Sequence, residues 1–142
     1  MLVENYLQEA GAFATLAGIL GGFAFSAVVQ LLASDRQSKV LTATIVTFAF
    51  SSMLSFYAVV VFVLALAATA ETNTILPQVD STGNTAMIGL FGGIYVFLVG
   101  VALSGWNRSR AAGIATSVFA FLTMCLTSVA LIQIVMALPA TP

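Results

Sequence analysis

Four long apolar runs constrain this chain more than any other feature. They are roughly Ala10–Ala33, Val40–Ala70, Thr85–Ser104 and Ala111–Leu138, and none contains Asp, Glu, Lys, Arg or His. A helix that crosses a hydrocarbon core of about 30 Å needs about 20 mostly apolar residues. In lipid, backbone hydrogen bonds must close within the segment, so runs of this length fold as helices. The expected fold is all-α: a four-transmembrane-helix bundle forming a single membrane domain over residues 1–142. Composition agrees, with 61% hydrophobic and 6% charged residues, where soluble domains carry about 25% charge. The short alternating segments of a transmembrane barrel are absent.

The four basic residues fall in two short stretches, Arg36 and Lys39 in ASDRQSKV and Arg108 and Arg110 in SGWNRSRA, and the second stretch begins 71 residues after the first. Sliding the chain against itself by that offset aligns Gly18, Gly21 and Gly22 with Gly89, Gly92 and Gly93. It also aligns Phe48-Ala49-Phe50 with Phe119-Ala120-Phe121, and Ser38-Lys39 with Ser109-Arg110. Ten of the 38 positions from Gly18 to Ser55 are identical, where chance in so biased a composition gives about three or four. The pattern predicts two tandem helical hairpins. Repeat one covers about residues 1–71 (spans 10–33 and 40–70), and repeat two about 72–142 (spans 85–104 and 111–138). Each repeat has an even number of spans, so both run in the same direction, a parallel repeat about an axis along the membrane normal.

Lys and Arg are retained on the cytoplasmic side of short loops. Arg36, Lys39, Arg108 and Arg110 therefore place loops 34–39 and 105–110 in the cytoplasm, with both termini outside. Trp106 beside Arg108 fits an interfacial anchor. Residues 1–9 carry Glu4 and Glu9 but no basic residue, so the first run reads as a mature span rather than a secretory signal. The expected location is an integral membrane protein of a bacterial inner membrane or an equivalent bilayer.

The boundaries carry further expectations. Pro77 argues against a continuous helix through loop 71–84, and Asn84 or Thr85 is the expected cap of the third span. The second run, at 31 residues, exceeds the membrane thickness, and protrusion through Ala67–Ala70 is expected. Val3, Tyr6 and Leu7 suit an interfacial turn facing lipid. Cys125, mid-span, reads as a small buried hydrophobe.

Helices in lipid associate through small residues and interhelical hydrogen bonds. Gly18-x-x-x-Gly22-x-x-x-Ser26 forms a ridge on the first span, and Gly89-x-x-x-Gly93 opens the third. Ala43, Thr47, Ser51 and Ser55 step along the second, and Gly113, Ser117, Thr116, Ala120, Thr123 and Thr127 along the fourth. The first ridge continues through Gln30 to Ser34. A glutamine amide is costly against bare lipid. Gln30 and the more distal Gln133 therefore either form interhelical bonds or, with Ser26, Gln30 and Ser34 as candidate lining residues, edge a pore. Tyr57 and Tyr95 need hydroxyl partners within the bundle.

Several chemistries lack their residues. There is no His and only one Cys, which leaves no ligand set for a His- or Cys-bound metal. No ionisable residue lies within a span to act as a general base or to couple ion movement. No phosphate-binding loop occurs, and no basic patch suits nucleic acid. Neither enzyme activity nor a cofactor is expected.

The doubled glycine-rich hairpin, with Arg36-Gln37 in its turn, resembles the proteolipid rotor subunits of rotary ATPases. That resemblance implies an ion carried on a carboxylate of an outer-ring helix, but spans two and four have no Asp or Glu. GFAFSAVVQLL at Gly22–Leu32, AFS at Ala49–Ser51 and ILP at Ile75–Pro77 are similar to the Orai calcium channels, which implies four spans and a pore-lining first helix. The likeness covers the first half only, Gln30 stands where the family's filter glutamate would be, the spacing to ILP differs, and the orientation is reversed. Neither likeness assigns the chain to a family. The expected function is a non-catalytic oligomeric membrane protein, first a passive pore or channel and alternatively an accessory or scaffold subunit of a larger complex. Its partners are then the lipid bilayer and either further copies of itself or other membrane subunits.

Overall fold

The computed structural model describes residues 3–35, 37–74 and 77–137. It contains four helices, α1 (Val3–Leu32), α2 (Lys39–Thr72), α3 (Pro77–Trp106) and α4 (Arg110–Ala137). Each is long and apolar enough to cross a membrane, and the chain is an all-helical integral membrane protein. At 1.5 Å per residue α2 is about 51 Å long and α4 about 42 Å, so every helix exceeds the hydrocarbon core. The charged residues sit at helix ends and in turns.

Polar residues set the ends. Ser38, in extended conformation, caps α2 by accepting from Leu41 N at 3.0 Å. Ser109 caps α4 by accepting from Ala112 N at 3.1 Å. Asn73, with φ 50°, ends α2 in the left-handed region that Asn tolerates. The third helix corrects the expected boundary. It begins at Pro77, not near residue 85, because a proline lacks only an N–H that the first turn leaves unpaired in any case. Asn84 lies inside this helix, and Thr85 donates back to Ser81 O at 3.3 Å instead of capping.

The early start of α3 changes the outer end of the bundle. The outer part of α2 is packed on one side, with Ala65 and Thr69 buried and Ala67 and Ala70 exposed, and the helix runs on to Thr72. The N-terminal turn departs from its expected lipid exposure. Tyr6 is half-buried, packs against the core and would meet a Cβ added at Gly83 at 3.5 Å from its hydroxyl.

The helices pack in a row. α1 contacts α2, α2 contacts α3, α3 contacts α4, and α1 touches α3 only slightly. A twofold relating the two hairpins would carry the α2–α3 contact onto an α4–α1 contact. No such contact is made among the described residues.

The core lies at the α1–α2–α3 junction, where Ala10, Ala17, Ala58, Phe62, Ala86 and Leu90 are buried. Phe13 stacks on Phe62 at 5.5 Å between centroids. Adjacent serines of α2 bond in opposite directions: Ser51 donates to Gly93 O of α3 at 2.8 Å, and Ser52 to Gly21 O of α1 at 3.3 Å. A glycine supplies each accepting carbonyl because only a residue without Cβ lets the backbones approach this closely; a Cβ on Gly21 would lie 3.2 Å from Ser55 Cβ. Interhelical bonds of this kind contribute about 0.6 kcal/mol each.

Candidate pore-lining face

The two sides of α1 differ. Ala10, Ala17, Gly21 and Ala24 are buried against the rest of the chain. At about 100° per residue, Thr15, Gly22 and Ser26 fall roughly opposite that stripe, Gln30 continues the row, and Gly11 and Gly18 lie at its flank. Thr15, Gly22, Ser26 and Gln30 are exposed. Gln30 Nε2 donates to Ser26 Oγ at 3.3 Å, one turn earlier. Ser34 lies beyond the helix end, where it lines a cavity between the two polar turns. The structure thus brings Ser26 and Gln30 together on an uncovered face and places Ser34 apart from them.

The four glycines singled out in the sequence occupy different surroundings. Gly93 is tightly enclosed, and an added Cβ would meet Ser55 Oγ at 3.3 Å and Leu54 Cβ at 3.5 Å. Gly89 lies against the Tyr57 ring at 3.7 Å, and Gly18 near Val59 at 3.9 Å. Gly22 faces open space. Of the closer approaches at Gly21, Gly100, Gly105 and Gly113, the small-residue rows of the sequence mark only Gly113, in the fourth span. At Gly100 an added Cβ would stand 2.8 Å from Phe48 Cε1, and at Gly113 it would stand 2.5 Å from Trp106 Cδ2. The 71-residue alignment pointed to Gly21 by pairing it with Gly92. Gly100, within the third span, and Gly105, in the loop expected at 105–110, carry no such signal.

At the polar-turn end, Lys39, Arg108 and Arg110 are exposed at or beside helix starts. Arg36 lies outside the described residues. Asn107 ties the second turn to α2: its Nδ2 donates to Thr44 Oγ1 at 3.1 Å, and its Oδ1 accepts from Ser38 Oγ at 3.4 Å. Trp106 Nε1 donates to Ser117 Oγ of α4 at 3.1 Å.

The far edge of the row is α4. Phe119, Phe121, Leu122, Leu126 and Ile132 are exposed there. Tyr95 and Ser128 share a hydrogen bond of 2.6 Å on its inner side. Cys125, expected to be buried, is exposed, because among the described residues no other helix covers the outer side of α4. Gln133 is exposed near its end. Among the described residues no three His, Cys, Asp or Glu side chains come together as a metal site. The chain matches no protein-family model, no curated protein and no solved structure.

Proposed function

We propose that the chain is a non-catalytic membrane protein that assembles as a homo-oligomer around a passive pore, with α1 as the inner helix of each subunit. The supporting observation is a small and polar row on the uncovered side of α1, at one edge of the row of helices. The α4 edge presents large apolar side chains suited to lipid. The α1 edge presents Gly22, Ser26 and Gln30 in line, uncovered among the described residues and beside exposed Ile19 and Phe23.

A glutamine amide offers two donors and a carbonyl acceptor. The single bond from Gln30 to Ser26 leaves the remaining positions for water or a second subunit, since hydrocarbon satisfies none of them. Copies arranged with α1 innermost give those groups water or each other and leave α4 in lipid. Phe23 and Phe25, exposed on either side of the small-residue row, then pack between neighbouring subunits. Ser26 and Gln30 line the conduit, and Ser34 stands near its mouth.

The reading includes a duplicated hairpin, both polar turns in the cytoplasm and both termini outside, in a bacterial inner membrane. The matched serine caps at Ser38 and Ser109 support the duplication, and the grouping of the basic residues supports the orientation.

Purified protein should be a closed homo-oligomer by intact-mass measurement and should conduct in planar bilayers, with Gln30→Leu reducing or altering the conductance. A silent monomer that co-purifies only with other membrane proteins would refute the pore. It would assign the uncovered α1 face to a larger complex in which the chain is an accessory subunit.

A further inference from the structure

We infer that the polar-turn end of the bundle holds an anionic phospholipid, its phosphate headgroup between the two turns and an acyl chain between α3 and α4. A cavity of about 860 Å³ opens at this end, within the range of about 300–1,000 Å³ typical of ligand sites. Its wall is mixed in character. Ser34, Gln37, Asn107 and Arg108 form the polar part, and Leu31, Val40 and Trp106 the apolar part. No carboxylate lines it among the described residues.

The Arg108 guanidinium stays charged at any working pH and matches phosphate oxygens in pairs. Val40 and Leu41 bring the first turn of α2 to the same wall, where the helix dipole adds a partial positive charge. The cavity thus suits a phosphate, which pairs with Arg108 as a choline cation cannot.

A second, apolar cavity separates a lipid from a soluble phosphate. It holds about 200 Å³ between α3 and α4 and is lined by Val99, Leu103, Ala120, Phe121 and Met124. Its one polar side chain, Ser117, is engaged by the Trp106 indole at 3.1 Å. Trp106 lines both cavities. The indole therefore borders both a phosphate-suited space beside the polar turns and an apolar furrow between α3 and α4. A free phosphate fills only the first, whereas a phospholipid fills both. Basic sites between transmembrane helices recognise anionic headgroups in this way. The inference needs neither the pore nor a particular side of the membrane.

Trp106 is the only tryptophan in the chain, so its fluorescence reports the site directly. The full-length protein is placed in phosphatidylcholine vesicles containing a minor fraction of lipid brominated on its acyl chains. Brominated phosphatidylglycerol should quench Trp106 several-fold more effectively per mole than brominated phosphatidylcholine. Arg108→Gln should reduce that preference about fivefold, the effect expected of one basic residue at an anionic headgroup, and Arg108→Lys should keep most of it. Equal quenching by the two lipids in the unaltered protein would overturn the inference, as would an unchanged preference in Arg108→Gln. Relief of quenching by added inorganic phosphate would overturn the lipid assignment in favour of a soluble anion.

Discussion

Ser38 and Ser109, 71 residues apart, cap the helices that follow the two basic turns in the same way, each hydroxyl accepting from the amide three residues on, at 3.0 and 3.1 Å. Removing either hydroxyl leaves an amide of the first turn unpaired, at a cost of about 1 kcal/mol. Ser38 also donates to Asn107 Oδ1, so Ser38→Ala should destabilise more than Ser109→Ala. Unfolding from mild detergent with increasing denaturant checks the order. Equal losses would mean that the bond to Asn107 contributes nothing.

Two threonines of α2 should respond to valine in opposite directions. Thr44 Oγ1 donates to Val40 O at 2.7 Å and accepts from Asn107 at 3.1 Å. Thr69 Oγ1 is the one buried side-chain polar atom without a hydrogen-bond partner among the described residues. Thr44→Val removes the acceptor of this Asn107 bond and should lower stability by about 1 kcal/mol. Thr69→Val replaces an unpaired hydroxyl with a methyl of similar size and should raise stability by about 1 kcal/mol. A loss of stability in Thr69→Val would show that its hydroxyl is paired in the membrane.

The membrane class, the four spans and both polar turns were legible because the bilayer imposes them: charges mark the turns and apolar length marks the helices. The faces were harder to read. Nearly every position in a span is apolar, so hydrophobic pattern cannot choose which side of α1 meets α2. The Gly18–Gly22–Ser26 ridge is visible in the sequence, yet the stripe buried within the chain is Ala10, Ala17, Gly21 and Ala24, selected by fit to Ser52, Ser55 and Phe62. The start of α3 was obscured because Pro77 reads as a breaker unless the helix begins there. The row order of the helices depends on contacts far apart in sequence, which no local spacing encodes.

The orientation is open to direct labelling. Cys125 is exposed and is first replaced, as Cys125→Ala, to remove background. Gln37→Cys in the first basic turn and Thr74→Cys between α2 and α3 are both exposed sites. In intact cells an impermeant maleimide should label Thr74→Cys and spare Gln37→Cys until the membrane is opened. The reverse pattern would place the basic turns outside.

Gly22 and Gly93 separate the stability of one chain from its assembly. A Cβ on Gly93 meets Ser55 and Leu54, and its backbone carbonyl already accepts the Ser51 hydroxyl. Gly93→Leu must push α2 and α3 apart and should cost about 1–3 kcal/mol, seen as earlier unfolding of the isolated subunit. Gly22 has no atom within reach of an added Cβ, so Gly22→Leu should leave subunit unfolding unchanged. If copies of α1 meet along this face, the same substitution should convert the oligomer to smaller species in intact-mass measurement and abolish conductance. An unchanged oligomer with unaltered conductance in Gly22→Leu would show that assembly, if any, uses another surface.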